Sequence, residues 1–379
     1  MIDSCVTAFG RGGVSPLPAL PTWAAAAAVN QIIAIPNSQG GGGAPLSEYS
    51  SVAVDFDNAV LYSACAGGHN LTDNRVTKLD IGVNSPTGWV TLRGPSTTPV
   101  QNAEYYDVGD SAKQGPCSRH IYTHNHFVKA PPTASYPSGR RGVMMFGTRY
   151  GYGGGTPSFY KLEFFDINSG ASGAWDYPTA WPSIPGNAGH GRCFDSKNQR
   201  CWTNAGTRFS FNATTGEPQW DSADYIFYRY PLVYDRLRER LFGMQSSDGE
   251  GPGTLYHSYR DLIANTSVGV SFDTPGTTVR NALESAALGY AGMDHDYLND
   301  FFLYIDSYNP GVIYKVTPNG NSDTGWKMEI FTPAAGSTSI WSSGSLVMMG
   351  HVRYIEKLRG FLIYTDAVNR PMYYLRTSL

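Results

Sequence analysis

Histidine, arginine and aspartate residues recur beside glycine or serine at five points along the chain, and together they could bind an anion, a sugar or a metal. If each group precedes the innermost strand of a repeated unit, these side chains would meet at one end of a central channel. The local sequences are GGHN, CSRH, GHGR, GMDHD and GHVR. The candidate channel-mouth residues are His69, Arg119, His120, His190, Arg192, His295, His351 and Arg353.

A second interpretation of these residues is structural: they would satisfy buried backbone groups where neighbouring units meet and line a water-filled channel. His124 and His126 would point to the same side of a strand, but without a third ligand nearby in the sequence they do not indicate a metal site. Nucleophile elbow, phosphate-binding loop, HExxH and dinucleotide motifs are absent from the sequence, and its carboxylates are too dispersed to select a glycosidase pair. We therefore predict no catalytic, cofactor-binding or metal-binding residues.

The cysteines give no sign of a zinc site or a disulfide framework. Cys5, Cys65, Cys117, Cys193 and Cys201 are dispersed and form no CxxC pair. Reduced thiols in a protein made in a cytosol fit this pattern better. We expect Cys193 and Cys201 to occupy paired inward positions of one hairpin, either as small core residues or joined by a cross-strand disulfide.

The stretch that contains these two cysteines is one copy of a recurrent pattern: an apolar start, a polar turn of about four residues and a second apolar run. This pattern is typical of a β-hairpin. The copies are AVDFDNAVLYS (53–63), CFDSKNQRCWT (193–203), VYDRLRERLFG (233–243), MDHDYLNDFFL (293–303) and YIEKLRGFLIY (354–364). Aligned from their first residues, they match Cys193 with Ala53, Val233, Met293 and Tyr354.

A tryptophan follows most of these hairpins, after a strand and a turn rich in Gly, Asn, Ser and Pro. The residue pairs, eight or nine positions apart, are Asp80 and Trp89, Asp166 and Trp175, Asn212 and Trp220, and Thr317 and Trp326. We expect each tryptophan to begin an outer strand and to pack between neighbouring units.

Two hairpins make a four-stranded antiparallel unit, and such units begin near residues 53, 121, 193, 233, 293 and 354. Repeats of this kind predict an all-β chain folded as a β-propeller with six four-stranded blades. A seventh blade would require residues 259–290 to form a sheet of their own. The second unit carries an insertion, KAPPTASYPSGRR, at 129–141.

The last unit lacks its tryptophan strand, whereas the N-terminal segment VNQIIAIPNS (29–38) reads as a strand without a partner. We expect this segment to supply the outer strand of the last blade, which would close the ring and cover an exposed edge. The domain organisation would then be an extended N-terminal arm over residues 1–28 and a single propeller over residues 29–379.

Composition argues against several classes of function. Charged residues make up 16% of the chain and the formal net charge is −3, so we expect no nucleic-acid partner and no attraction to an anionic membrane. Abundant glycine (43) and proline (24), with 13% aromatic residues, favour short strands over long helices. Since no stretch approaches the roughly 20 apolar residues that span a bilayer, we expect no membrane insertion, and we find no secretory signal.

Two aromatic loops, TRYGYGGGTPSFY (148–160) and DYIFYRYPLVY (224–234), are candidate contact surfaces. Tyrosine with glycine and serine provides adaptable contact area for glycans or protein partners. Tyrosines that wedge between blades would give the same pattern. The candidate contact residues are Tyr150, Tyr152, Tyr160, Tyr228 and Tyr230.

The N-terminal third resembles a group of kelch-like propeller proteins encoded by tailed bacteriophages and prophages. The matching stretches are LPTWAAAAAVNQIIAIPNS (20–38), SACAGGHNLTDNRVTKLDI (63–81), CSRHIYTHNHF (117–127) and GVMMFG (142–147). A more distant likeness is to the central domain of galactose oxidase. The copper site of that enzyme has no match here, and Gly67–Gly68 precede Trp89 by a longer interval than is usual in kelch repeats.

The resemblance implies a non-enzymatic structural or adhesive component of a phage tail or particle surface, without a cofactor. Its implied partners are other virion proteins, further copies of the same chain and a host surface glycan, and its implied location is the virion, after synthesis in the host cytoplasm. One alternative is a polysaccharide-acting enzyme with a channel-mouth site around His120, His190 and His295. Another is an intracellular kelch-type scaffold.

Overall fold

The structure is a computed structural model of the 379-residue chain. The residues that it describes are 17–39, 50–66, 73–99, 105–107, 114–118, 123, 125–148, 159–170, 172–176, 192–196, 198–203, 207–212, 214–222, 231–246, 254–262, 266–285, 291–307, 309, 311–340, 348, 350–365 and 370–379. Within them, the strands form six four-stranded antiparallel sheets and one two-stranded ribbon.

Each sheet uses four consecutive strands, except that the last sheet takes one strand from the N-terminus. That strand is β1 (Ile32–Ala34); sheet 1 is β2 (Ala53–Asp55), β3 (Val60–Ala64), β4 (Val76–Asp80) and β5 (Val90–Arg93), and the ribbon is β6 (Tyr105–Tyr106) and β7 (Gly115–Pro116). Sheet 2 is β8 (Asn125–Ala130), β9 (Arg140–Thr148), β10 (Phe159–Asp166) and β11 (Ala174–Asp176); sheet 3 is β12 (Arg192–Asp195), β13 (Arg200–Thr203), β14 (Thr207–Phe211) and β15 (Pro218–Ser222).

The remaining three sheets and the helices complete the described chain. Sheet 4 is β16 (Leu232–Asp235), β17 (Arg240–Ser246), β18 (Leu255–Asp261) and β19 (Thr266–Gly269); sheet 5 is β20 (Gly292–Asp296), β21 (Phe301–Ile305), β22 (Ile313–Asn319) and β23 (Ser322–Phe331); sheet 6 is β24 (Val352–Ile355), β25 (Gly360–Ile363), β26 (Tyr373–Arg376) and β1. The helices are α1 (Thr22–Ala25), α2 (Thr274–Ser285) and a 3-10 turn at Glu356–Leu358. Among these described helices, none has the length and apolarity needed to cross a membrane.

Six clusters of buried apolar side chains connect the sheets into a ring, one cluster at each junction. Representative pairs are Ala53 and Phe127 between sheets 1 and 2, Val128 and Cys201 between 2 and 3, Cys193 and Leu241 between 3 and 4, Val233 and Phe302 between 4 and 5, Leu303 and Ile363 between 5 and 6, and Leu362 and Val54 between 6 and 1. Because the last sheet packs against the first, the ring is closed. The fold is a six-bladed β-propeller, which confirms the predicted fold class.

The N-terminal strand closes the ring as predicted, because β1 pairs antiparallel with β26 in blade 6. Hydrogen bonds extend the pairing on both sides, from the backbone nitrogen of Asn30 to the carbonyl of Arg376 (2.7 Å) and from that of Ile35 to the carbonyl of Met372 (2.8 Å). Trp23, in the predicted arm, is buried between blades 6 and 1 with its ring 5.3 Å from that of Tyr374. Trp23, Ala24 and Ala27 therefore contribute to the core of the propeller.

A buried aspartate ends the innermost strand of four blades, and its carboxylate fixes the turn that follows. These aspartates are Asp55, Asp195, Asp235 and Asp296. In blade 5, Asp296 accepts hydrogen bonds from the backbone nitrogens of Leu298 (3.0 Å) and Asn299 (3.0 Å). Because the carboxylate satisfies backbone groups that the turn leaves unpaired, it stabilises the hairpin.

The shared turn also corrects the alignment of the repeats. In five blades the last turn residue is left-handed, with φ between 51° and 57°, at Ala59, Gln199, Glu239, Asp300 and Arg359. Counting back from this turn, Asp294 and Arg353 are the structural equivalents of Cys193. The predicted equivalence of Cys193 with Met293 and Tyr354 is therefore wrong by one residue in each copy.

The two neighbouring cysteines of blade 3 lie on opposite faces of the sheet. Cys193 pairs with Trp202, and Cys201 pairs with Phe194. Cys193 packs toward blade 4 and Cys201 toward blade 2, and both are buried and unbridged. Their expected role as small core residues is confirmed, but the predicted paired placement is wrong, and with it the cross-strand disulfide.

The tryptophans pack between blades, as predicted, wherever their side chains are described. Trp175 in β11 is buried between blades 1 and 2, Trp326 in β23 is buried between blades 4 and 5, and Trp89 just before β5 packs against the junction of blades 6 and 1. The preceding Asp80 and Asp166 cap their turns, since each carboxylate accepts a hydrogen bond from the backbone nitrogen two residues later.

The segment 259–290 forms no seventh blade in its described part. Its residues complete β18, form β19 and then form α2, which packs against β23. The carboxylate of Asp273 caps the helix by accepting a hydrogen bond from the backbone nitrogen of Gly276 (2.7 Å). Leu283 is buried in the cluster between blades 4 and 5, so the helix covers the outer part of that junction.

Candidate functional site at the channel mouth

The inner hairpin turns of five blades converge at one end of the ring and enclose a small chamber. The first strands contact one another between blades 1 and 2, 3 and 4, 4 and 5, and 5 and 6, which places them at the centre. The chamber has a volume of about 50 Å³. Its wall combines the aromatic residues Phe56, Phe194, Tyr234, Tyr297 and Tyr354 with the polar residues Asp195, Ser196, Arg236, Asp294 and His295.

The aromatic side of the chamber is held by an arginine and a glutamate from neighbouring blades. The Arg236 guanidinium lies 4.3 Å from the centre of the Tyr297 ring, and the Tyr297 hydroxyl donates a hydrogen bond to Glu356 (2.5 Å). Tyr354 packs edge-on against the same ring at 5.2 Å. Burial and the hydrogen bond to Glu356 raise the pKa of Tyr297, so its hydroxyl stays protonated.

Asp294 is the most distinctive carboxylate of the chamber. Its two oxygens accept hydrogen bonds from the backbone nitrogens of Tyr354 (2.7 Å) and His295 (2.9 Å), which join the inner strands of blades 5 and 6. Burial raises the pKa of Asp294, and the positive charge of Arg353 opposes that effect. Burial likewise raises the pKa of the Cys193 thiol, well above its usual value. Cys193, Asp294 and Arg353 are equivalent positions in blades 3, 5 and 6. They lie close enough together that the charges of Asp294 and Arg353 affect the pKa of Cys193.

His295 is fixed between two carboxylates at the junction of blades 4 and 5. Its buried ring stacks on Phe302 with the ring centres 4.4 Å apart. Its Nδ1 lies 3.8 Å from Asp235 and its Nε2 lies 3.5 Å from Asp300. Burial alone would raise the pKa of Asp300, but contact with His295 and the ion pair with Arg238 lower it well below its usual range.

Two buried arginines complete this charged cluster. Arg238 contacts Asp235 at 3.2 Å and Asp300 at 2.5 Å, and the Nε of Arg240 donates to Asp235 at 2.9 Å. The Arg238 side chain also donates to the carbonyl oxygen of Gly320 (2.6 Å) in blade 5. The cluster therefore pairs its carboxylates with guanidinium groups and ties blade 4 to blade 5.

His351 lies at the opposite end of an inner strand from His295. It directly precedes β24, whereas His295 is the fourth residue of β20, so the structure does not bring these two predicted residues to one mouth. The Nε2 of His351 hydrogen-bonds the carbonyl of Ser50, and its ring stacks on Tyr364 at 4.4 Å. Burial, together with the charge of Arg353, lowers the pKa of His351 to about 4. His351 thus fits the structural interpretation, since it satisfies a backbone group between blades 6 and 1.

The remaining predicted positions fall outside the part of the chain that the structure describes. They are His69, Arg119, His120, His124, His190, Tyr150, Tyr152, Tyr228 and Tyr230, together with the side chains of Arg192 and Tyr160. His126 is buried and stacks on Phe194 at 5.1 Å. Among the residues whose positions are given, no three His, Cys, Asp or Glu side chains form a group that could hold a metal ion.

The sequence reasoning missed the aromatic wall, although a local signal was present. Phe56 and Tyr297 each directly follow the aspartate that ends an inner strand, and Tyr234 directly precedes one. When Asp55, Asp235 and Asp296 are aligned, Phe56, Tyr234 and Tyr297 all lie next to the same position of the repeat. The alignment predicted for blade 5 was shifted by one residue, so this pattern was not visible.

Comparison with known proteins adds little to this description. No family model and no curated protein matches the chain. An auxiliary nutrient binding protein from Bacteroides thetaiotaomicron VPI-5482 is 14% identical over 90% of this chain and 75% of that chain, with a TM-score of 0.42. A putative exo-beta-1,3-galactanase from Bifidobacterium bifidum s17 is 10% identical over 84% of this chain and 99% of that chain, also with a TM-score of 0.42. The RRP9 WD40 repeats are 8% identical over 92% of this chain and 98% of that chain, with a TM-score of 0.39. These values are too low to carry an inference about function. The fold and the site together define the protein as a six-bladed β-propeller with aromatic side chains at one mouth of its channel. The charged side chains beside that mouth pair with one another.

Proposed function

We propose that this protein is a non-enzymatic structural or adhesive component of a tailed-bacteriophage particle. The kelch-like character is part of the same proposal, as is a location in the virion, at the tail or particle surface. Its proposed partners are other virion proteins, further copies of this chain and a host surface glycan. The sequence resemblance of the N-terminal third is the source of the phage assignment.

The observation that carries the non-enzymatic part is the pairing of charges beside the chamber. Asp235 is engaged by two arginines, Asp300 by Arg238 and His295 by stacking on Phe302. A general acid or base must be able to reach a substrate proton. Groups fixed in this way join blades 4 and 5 instead, which suits a rigid scaffold.

The position of the phage-like segments gives further support. Residues 20–38 include α1 and β1, the second of which completes blade 6, and residues 63–81 include β4 and the last two residues of β3 in blade 1. The first of these segments therefore contains the strand that closes the ring, together with buried Trp23 and Ile35. Likeness in such residues is expected between proteins that close the same kind of ring.

Mass spectrometry of purified particles, combined with imaging of an epitope-tagged chain, tests the proposal. We expect the chain at a fixed stoichiometry to the major tail protein and at one defined location. The tag belongs after Leu379, which is 86% exposed. Absence of the chain from particles purified on a density gradient would contradict the virion assignment and favour an intracellular scaffold.

One observation favours a second candidate, a polysaccharide-acting enzyme. Burial raises the pKa of Asp294, as it does for a carboxylic acid that donates a proton to a leaving group, and aromatic side chains line the same chamber. The chamber of about 50 Å³ would have to open to admit a sugar unit. The test is release of reducing ends from host polysaccharide by the purified chain. Asp294→Asn should abolish release, whereas Asp296→Asn, two residues away, should retain it. A complete lack of turnover by the folded chain would end this candidate.

A further inference from the structure

We infer that a groove on blade 2 binds an uncharged hexose unit of a host surface glycan. The blade 2 groove lies between the insertion loop, the turn after β10 and the outer strand β11. Its volume is about 440 Å³, which falls within the roughly 300–1,000 Å³ typical of ligand pockets. The residues that matter for the argument are Tyr136, Arg140, Asp166, Asn168, Ser169 and Trp175. This inference rests on the adhesive part of the proposed function.

The first step is the aromatic lining, in which the half-buried Tyr136 ring offers the accessible surface and Trp175, buried between blades 1 and 2, adds only its small exposed part. Trp175 is 8% exposed and packs edge-on against Phe165 at 5.3 Å. Tyr136 donates its hydroxyl to Glu217 (2.8 Å), and the Arg140 guanidinium lies 4.3 Å from its ring centre. The C–H surface of a sugar ring packs on such aromatic groups, and rings that are already held lose little entropy on binding.

The second step is the mixture of polar groups at the rim. Asn168 and Ser169 are exposed, and Asp166 is half-buried, with its Oδ1 accepting the backbone nitrogen of Asn168 at 2.9 Å. Amide, hydroxyl and carboxylate groups together offer donors and acceptors. Sugar hydroxyls both donate and accept, so they match this mixture.

The third step is the charge, which excludes acidic ligands. Arg140 is 1% exposed; it forms an ion pair with Asp176 and lies 3.7 Å from Glu217. Asp166 also lines the groove, so three carboxylates and one guanidinium lie at or beside it. Burial raises the pKa of Asp176, and the charge of Arg140 opposes that shift. Because the surroundings carry an excess of negative charge, phosphate, sulfate and uronic acids would be repelled, and a neutral sugar remains.

The insertion loop that forms the groove is locked to the next blade. Besides the Tyr136 hydrogen bond to Glu217, the hydroxyl of Thr133 donates to the carbonyl of Thr215 (3.5 Å), and Gly139 has φ of +68°. A Cβ atom at Gly139 would lie 2.6 Å from the carbonyl oxygen of Ala130, so only glycine fits there without displacement. The groove wall is therefore built into the fold.

Saturation-transfer NMR with the purified full chain tests the inference. The probes are the methyl glycosides of glucose, galactose and mannose, N-acetylglucosamine, glucuronic acid, N-acetylneuraminic acid and a lysine-rich peptide. We expect signals from at least one neutral sugar and none from the two acids. The inference is overturned if no neutral sugar binds, if the acids bind as well, or if only the peptide binds.

A pair of variants distinguishes sugar binding in the blade 2 groove from sugar binding elsewhere on the surface. Ser169→Leu places a bulky non-aromatic group in the groove and should weaken sugar binding at least about tenfold. Val83→Leu occupies the equivalent turn position in blade 1, where Val83 is 41% exposed, and should leave binding unchanged. Equal binding by both variants, with unchanged circular dichroism, would overturn the assignment to blade 2.

These outcomes are independent of the virion proposal. A chain that is present in particles but binds no sugar refutes the groove inference alone. A chain that binds a sugar through blade 2 but is absent from particles refutes the virion assignment alone.

Discussion

Replacing Asp235 with asparagine should destabilise the propeller strongly, because two buried guanidinium groups depend on its charge. Asp235 is fully buried, and the side chains of Arg238 and Arg240 are 8% and 4% exposed. The carboxylate also accepts hydrogen bonds from the backbone nitrogens of Leu237 and Arg238, at 3.2 Å each. Asparagine keeps the shape and one acceptor but removes the negative charge.

The expected cost follows from the loss of one member of a buried ion cluster. Removal of one partner typically costs about 3–5 kcal/mol, because the remaining charge is left uncompensated away from water. With an unfolding entropy of roughly 2.1 cal/mol/K per residue, a 379-residue chain loses about 4–6 °C in Tm for that change. Because Arg238 retains its contact with Asp300, we expect the loss in Tm to lie toward the lower end of this range.

The matched control is Asp296→Asn, at the equivalent position of blade 5. Asp296 accepts hydrogen bonds from uncharged donors: the Asn299 side chain, the Leu298 nitrogen and the hydroxyl of Thr377. We expect a smaller cost of about 1.5–3 kcal/mol, the typical value of a hydrogen bond to a charged group, because no buried cation is left without its partner. Differential scanning calorimetry of the two variants gives both values. Equal losses in Tm would refute the reasoning, because the turn that each aspartate stabilises would then explain both losses without any effect of the ion pairs.

Three further predictions concern the blade 6 to blade 1 junction and the thiols. Tyr364→Phe should cost about 1–3 kcal/mol in urea unfolding, because the hydroxyl accepts from the Val52 nitrogen (2.9 Å) and donates to the Gly350 carbonyl (2.8 Å); an unchanged midpoint would contradict this. Folding lowers the pKa of His351 from 6.5 to about 4 and so keeps the ring neutral. The contribution of neutral His351 to the free energy of unfolding is therefore complete above pH 6.5 and declines by about 3 kcal/mol as the pH falls to 4. His351→Gln should therefore flatten the stability profile between pH 6.5 and 4, and an unaltered slope would refute the assignment. Iodoacetamide should leave Cys65, Cys117, Cys193 and Cys201 unmodified in the folded protein and label all four after denaturation, because each is buried; peptide mapping would reveal native labelling if they were accessible.

The number of blades and the closure of the ring could be predicted because both depend on local patterns. An apolar run, a polar turn and a second apolar run are visible in the letters, and so is an unpaired segment at 29–38. The register of the last two hairpins was not predictable in the same way. Blade 5 contains both Asp294 and Asp296, and blade 6 has Ile355 where other blades have aspartate, so the alignment lacked a fixed reference.

The candidate site was harder to predict because it depends on distances between blades. His295 and His351 both precede or enter a hairpin in the sequence, yet they lie near opposite ends of their strands. Helix α2 was also missed, since its first turn, TPG, resembles a loop; its stability comes from the Asp273 cap and the burial of Leu283. Tertiary contacts of this kind leave no periodic trace in a single sequence.

The pairing of β1 with β26 also determines when the protein can finish folding. The hydroxyl of Ser38 accepts a hydrogen bond from the backbone nitrogen of Met372, a residue 334 positions later, so ring closure must wait until residue 372 has been synthesised. Contacts between such distant residues form slowly, because a long chain must first be brought together. During translation the earlier blades emerge with an unmatched edge, and a ribosome that stalls before residue 372 would leave an open ring prone to joining with another nascent chain.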